Sequence, residues 1–120
     1  MTVRWFESGD PVQKLPYEDD YNRAVADMAA AEVAAIFDEL NAMIDQDEIH
    51  TSSWMPGSDW SGTVFSPIYN KAANKSYERS AQIFGLMVFK TFMERPEDWY
   101  TGRFEKDGRP IGGRTYFRSR

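Results

Sequence analysis

The sequence predicts an α+β fold that is mainly helical, with a long amphipathic N-terminal helix, a central buried helix and a C-terminal β-hairpin. Residues 17–46 contain no Gly or Pro, and their apolar side chains recur at helical spacing. Residues 83–93 (IFGLMVFKTFM) are apolar on nearly every side of a helix, which is typical of a helix inside a core. The C-terminal residues change to a period of about two around Asp107-Gly108, a strong hairpin signal.

The chain has 120 residues, which is enough for one domain, because two separate cores would each be too small to fold unaided. Hydrophobic residues make up 42% and aromatic residues 15%, so we expect a globular protein rather than a disordered one. The absence of Cys excludes disulfides and thiolate chemistry and suits a reducing compartment. With neither a long apolar run nor a signal-peptide pattern, the sequence predicts a soluble, cytoplasmic protein that does not associate with membranes.

The N-terminal half is expected to form an arm and one helix. Residues 1–16 contain two prolines and a Gly-Asp-Pro turn signal, which predict an extended arm that Trp5 and Phe6 fasten to the body of the protein. Residues 17–46 are predicted to be a single helix, because they contain no Gly or Pro and their apolar residues recur at helical spacing. The acidic residues at 18–20 suit the positive end of its dipole.

The middle of the chain is expected to form a loop followed by helices. Residues 47–65 include Pro56, Gly57 and Gly62 and are predicted to be a long loop. Residues 66–95 are predicted to contain a short helix that starts at Ser66-Pro67 and, after a joint at 74–76, the central helix. Pro96 ends that helix.

Residues 99–118 are predicted to be the β-hairpin. A two-residue turn at Asp107-Gly108 gives two cross-strand pairs, Lys106 with Arg109 and Phe104 with Ile111. Gly112-Gly113 is expected to mark a bulge in the returning strand.

Charge is distributed unevenly along the chain. Residues 1–60 carry 3 basic and 13 acidic side chains, a net charge of −10, whereas residues 61–120 carry 11 basic and 6 acidic side chains, a net charge of +5. If the halves form separate faces, the charge favours oriented association with a partner. If they interleave in one core, the charges neutralise each other.

Four aspartates form the first candidate binding surface. They are spaced 7, 11 and 7 residues apart, and we call them the aspartate ridge: Asp20, Asp27, Asp38 and Asp45. On one continuous helix they would lie within about 20° of a single line over about 37 Å. Such a row can imitate a phosphate backbone and occupy a groove built for nucleic acid. The alternative is that they are simply the solvated side of an amphipathic helix.

The predicted loop holds the second group of candidates. Trp54 and Trp60 are either anchors for a partner or a cover for the core. His50 lies near several serines and Asp59, but the sequence has no nucleophile-elbow motif. A single His without a spaced partner is also a weak metal ligand. We therefore predict no catalytic residue and no metal site, and expect His50 to hydrogen-bond within the loop.

The predicted hairpin interleaves aromatic rings with basic residues. Arg103, Arg114 and Arg118 are its candidate contacts. Positive charge beside stacking rings is typical of proteins that bind single-stranded nucleic acid, although the net charge of −5 argues against it. No nucleotide-binding glycine motif is present, and no cofactor is predicted.

These observations rank three classes of function. The leading hypothesis is a non-enzymatic protein-binding module, and in its sharper form an acidic inhibitor or adaptor of nucleic-acid-handling machinery, of the kind that phages and mobile elements use against host defence. The alternative is a nucleic-acid-binding accessory protein that uses the basic, aromatic hairpin. The third is a small enzyme centred on His50. We also expect a homodimer that persists at high salt, because the hairpin carries more aromatic residues than one of its faces can bury.

Overall fold

The computed structural model describes residues 3–46, 49–51, 63–102, 105–106, 109–110 and 114–118. The helices in this part of the chain are α1 (Glu18–Ala26), α2 (Ala30–Ile44) and α3 (Tyr77–Glu94), with a single π-helical turn at Ile68–Ala72. The strands are β1 (Val3–Trp5), β2 (Ile49–Thr51), β3 (Trp99–Gly102), β4 (Glu105–Lys106), β5 (Arg109–Pro110) and β6 (Thr115–Arg118). The predicted α+β class is therefore confirmed.

Four strands form the main sheet in the order β1-β3-β6-β2. β3 and β6 are antiparallel, with Trp99 opposite Arg118, so the two ends of the predicted hairpin pair as expected. β4 and β5 make a separate two-stranded sheet in which Lys106 lies opposite Arg109, which confirms the register predicted from the Asp-Gly turn. The predicted Phe104–Ile111 pair and the bulge at Gly112-Gly113 lie outside the described residues.

Two strands lie in segments where the sequence predicted none. The predicted arm, 1–16, contributes β1, which pairs in parallel with β3, and the predicted loop, 47–65, contributes β2, which pairs with β6. Each strand has only three residues, too few to show an alternating pattern in the sequence. Their partners lie far away in the chain, so only the tertiary fold supplies the backbone hydrogen bonds that define them.

The predicted single helix at 17–46 is two helices in the structure. Ala29 is extended (φ −68°, ψ 148°), and the chain restarts as α2 at Ala30. The Glu32 carboxylate accepts hydrogen bonds of 2.8 Å from the Ala29 N–H and from Lys71 on the π-helical turn. Lys71 and the Ala29 N–H lower the pKa of Glu32. The break allows both α1 and α2 to pack against α3.

α3 is the predicted central helix. The Ser76 hydroxyl accepts a hydrogen bond from the Arg79 N–H at its start, and the helix ends at Glu94, just before Pro96. Its buried residues include four large apolar side chains of the predicted stretch: Phe84, Met87, Phe89 and Phe92. The Phe92 ring stacks on Tyr116 of β6 with 4.1 Å between centroids and meets Trp99 of β3 edge-on at 4.7 Å. The core therefore lies between α3 and the inner face of the main sheet.

Replacing a buried phenylalanine of α3 should weaken the fold strongly. Phe84→Ala and Phe89→Ala should each lower the free energy of unfolding by about 3–5 kcal/mol, because both rings are buried and their removal leaves a cavity. Chemical denaturation measures the change. Leu86→Ala, at a half-buried position of the same helix, is the control and should cost clearly less. Equal costs at all three positions would contradict the packing described above.

Candidate functional site: a cleft beside α3

A cleft of about 550 Å³ opens between the N-terminal segment, α1, α3 and β6. Its apolar wall comes from Leu86, Phe89 and Tyr116. In the part of the chain that the structure describes, its charged lining residues are Asp20 of α1, Arg79 of α3 and Arg114, which immediately precedes β6. Elements from both ends of the chain therefore build this surface.

Gly85 forms part of the floor of the cleft, in the middle of α3. A Cβ built on Gly85 would meet nothing within 4 Å, so no crowding in the fold requires a glycine there. Glycine inside a helix is about 1 kcal/mol less favourable than alanine. The missing side chain leaves the helix backbone open to whatever enters the cleft.

Two guanidinium groups give the cleft a local positive charge in a protein whose net charge is −5. The Arg79 side chain lies 3.7 Å from an Asp20 carboxylate oxygen and donates a 3.3 Å hydrogen bond to Gln82. The Arg114 guanidinium lies over two rings, 5.1 Å from the centroid of Trp5 and 5.8 Å from that of Phe89. Among the described residues that line the cleft, one carboxylate stands against two arginines, and this balance favours an anionic group.

Tyr17 forms one lip of the cleft. Its backbone is in the left-handed region (φ 52°, ψ 43°), which is unfavourable for a tyrosine, and 76% of the residue is exposed. Non-glycine residues in this conformation are often found at ligand sites, where the surrounding structure maintains the strain. Here the conformation starts α1 and leaves an aromatic ring at the entrance.

The aspartate ridge is divided by the helix break. Asp20 and Asp27 belong to α1 and its C-terminal end, whereas Asp38 and Asp45 belong to α2 and its C-terminal end, so the four no longer share one helical axis. Asp20 lies near Arg23 and Arg79, and Asp45 pairs with Arg95. Asp27 and Asp38 are exposed. The binding role of the ridge stays a prediction.

Arg95 is the centre of a polar cluster in a second cleft, of about 410 Å³, between α2 and the end of α3. It is only 12% exposed and binds Asp45, Glu97 through a 2.8 Å hydrogen bond, and the Asn41 side chain at 2.8 Å. Burial alone would lower its pKa, but Asp45 and Glu97 outweigh burial and raise it. These contacts join α2 to the α3–β3 connection, which is a structural role that no local pattern in the sequence indicates.

His50 is a core residue. Its Nε2 lies 3.1 Å from the Ile44 carbonyl oxygen, and its ring packs between Phe92 and Trp99 at 6.0 and 6.1 Å. A carbonyl oxygen only accepts, so Nε2 carries the proton in this hydrogen bond. The serines and Asp59 that accompany His50 in the sequence lie outside the described residues. In the part of the chain that the structure describes, no three His, Asp or Glu side chains cluster as metal ligands would.

Four candidate contacts from the sequence remain. Trp54, Trp60 and Arg103 lie outside the described residues, and Arg118 is exposed at the end of β6. The outer face of the main sheet carries a ring cluster in which Phe6 of the predicted arm meets aromatic residues of the predicted hairpin. Tyr100 and Phe117 stack at 5.6 Å, and Phe6, which is 51% exposed, contacts Phe117 edge-on at 5.4 Å.

Of the sequence candidates that the structure describes, the cleft unites only Asp20 and Arg114. Sequence reasoning missed Tyr17, Arg79 and Gly85. A glycine in the middle of an otherwise strong helix was the one available signal. No helix among the described residues is long and apolar enough to cross a membrane. Comparisons with protein-family models, curated proteins and solved structures find no significant match to this chain.

Gly85→Ala should stabilise the protein. We expect a gain of about 1 kcal/mol in the free energy of unfolding, because alanine is the better helix former and its methyl group meets no neighbour. That gain should raise the melting temperature by about 4 °C. The matched reverse change is Ala81→Gly, at an exposed position of α3, which should lower stability by a similar amount. Loss of stability in Gly85→Ala would mean that neighbouring atoms already fill the space beside Gly85 and that the cleft is not open there.

Proposed function

We propose that this protein is a non-enzymatic protein-binding module that holds an acidic segment of its partner in the cleft beside α3. The proposal rests on one observation: Gly85, where the helix carries no side chain, lines the same cleft as the guanidinium groups of Arg79 and Arg114. A partner carboxylate can accept hydrogen bonds from the guanidinium groups. An apolar side chain next to it can pack on the half-buried Leu86.

The exposure of the cleft favours a protein segment over a small metabolite. Small-molecule sites usually bury most of their ligand in an enclosed cavity. Tyr17, Ala81 and Gln82 line this cleft and are exposed to solvent, so a ligand would keep one side in water. That arrangement suits a peptide whose side chains enter the cleft while its backbone crosses the opening.

A peptide of alternating Glu and Phe tests the proposal. Labelled with a fluorophore, it should bind with a dissociation constant on the order of 100 µM at low salt, as measured by fluorescence anisotropy. The matched Gln and Phe peptide should bind at least about tenfold more weakly, because it lacks the charge that the arginines recognise. Equal binding of the two peptides would contradict recognition of an acidic segment.

Two variants locate the binding in the cleft. Gly85→Leu should abolish binding by filling the floor, and Arg79→Gln should weaken it by removing one guanidinium group. Lys90→Gln is the charge control, because Lys90 is on the same helix but does not line the cleft. If Lys90→Gln weakened binding as much as Arg79→Gln, the interaction would reflect net charge alone.

The narrower form of the proposal is a cytoplasmic, dimeric inhibitor or adaptor of nucleic-acid-handling machinery. The exposed Asp27 and Asp38 support acidic mimicry, and the outer ring cluster supports self-association. The ion pairs of Asp20 and Asp45 weaken the case for mimicry, because those charges already have partners within the chain.

Binding of single-stranded nucleic acid is the second candidate function. The Phe6, Tyr100 and Phe117 cluster supports it, since bases stack on aromatic rings of this kind. The acidic net charge opposes it.

We expect no measurable affinity of the protein for single-stranded DNA or RNA at physiological salt. Affinity in the micromolar range or tighter, measured by anisotropy, would move this candidate to first place. In that case Arg103, Arg114 and Arg118 replaced together by Gln should remove the binding and flatten its salt dependence, because each lost phosphate contact lowers the salt slope by about one.

A further inference from the structure

We infer that Asp20 is an internal competitor for the cleft: its carboxylate occupies Arg79 in the free protein, and the acidic side chain of a partner must displace it. This inference rests on the proposed function, because it concerns the same site. It assigns Asp20 a role different from that of a phosphate mimic in the aspartate ridge.

The contacts of Asp20 are those of a replaceable partner. One of its carboxylate oxygens lies 3.7 Å from Arg79 Nη2 and 3.6 Å from Arg23 Nη2, and both distances exceed that of a good hydrogen bond. The Asp20 and Arg79 side chains are each 36% exposed, so water screens the pair. A ligand carboxylate that reached hydrogen-bonding distance of Arg79 would make the stronger contact.

Asp20 also has other stabilising interactions after displacement. It lies in the first turn of α1, where the positive end of the helix dipole favours a carboxylate. Arg23 is one turn further along the same helix and stays beside it. Loss of the Arg79 contact therefore leaves the Asp20 charge stabilised, and the exchange costs little.

The position of Asp20 has a direct consequence for affinity. Asp20 lines the cleft that binds the acidic ligand, so its negative charge repels the ligand. The Asp20 carboxylate also competes with the ligand for Arg79. Asp20 thus keeps binding weak and rapidly reversible, and it disfavours ligands that cannot displace it.

The test measures binding of the Glu and Phe peptide to Asp20→Asn and to Asp38→Asn. Both variants remove one negative charge, but Asp38 is exposed on α2 and does not line the cleft. We expect Asp20→Asn to bind about fivefold more tightly than the wild-type protein and Asp38→Asn to stay within about twofold of it.

The same measurement, repeated in proteins that also carry Arg79→Gln or Arg23→Gln, shows whether Asp20 acts through Arg79. The gain from Asp20→Asn should shrink in Arg79→Gln, because only the charge repulsion between Asp20 and the ligand then remains to be relieved, and it should persist in full in Arg23→Gln. A role of Asp20 limited to the stability of α1 would not produce this dependence on Arg79.

The outcomes separate the inference from the proposed function. If the wild-type protein binds the peptide and Asp20→Asn binds no better than Asp38→Asn, the inference is overturned and the proposed function stands. Weaker binding by Asp20→Asn would overturn it as well, since Asp20 would then position Arg79 instead of competing for it. If neither the wild-type protein nor Asp20→Asn distinguishes the acidic peptide from its Gln counterpart, the inference and the proposed function are both overturned.

Discussion

The stack between Phe92 of α3 and Tyr116 of β6, with Trp99 of β3 edge-on to it, is the contact on which the rest of the structure depends. It fixes the central helix to the two inner strands of the main sheet, and its three rings are almost completely buried. β1 and β2 then add to the outer sides of that strand pair, and α1 and α2 pack against α3. An aromatic core of this density lets a small chain bury enough apolar surface to offset the entropy of folding.

The cleft follows from the same arrangement. α3 turns Phe84, Phe89 and Phe92 toward the core, while Gly85 contributes to a cleft on its surface. The sheet places Arg114 over Trp5 and Phe89, and cation–π contacts with these two rings orient its guanidinium group. Because the arginine is oriented in this way, less side-chain entropy remains to be lost on binding.

Part of the uneven charge of the two halves is paired inside the molecule. Arg79 and Arg95, near the two ends of α3, lie beside Asp20 on α1 and Asp45 on α2. Acidic residues from the first half of the chain therefore meet basic residues from the second half across one core. Of the two charge arrangements that the sequence allowed, the described contacts favour the interleaved one. Arg114 and the loosely held Arg79 are the cationic side chains of the cleft, which is why the proposed function is centred there.

The sequence alone determined the helical class, the central buried helix with its Ser76 start, and the register of the Asp-Gly turn, because each depends on residues close together in the chain. The break at Ala29, the strands β1 and β2 and the cleft itself were decided by the tertiary structure. Ala29 has no Gly or Pro to mark it, and Glu32 at the start of α2 was its only local sign. β1 needs β3, almost a hundred residues away, for its hydrogen bonds. The cleft combines Tyr17, Gly85 and Arg114, and since no periodicity connects such distant positions, only the packing of α3 against the sheet brings them together.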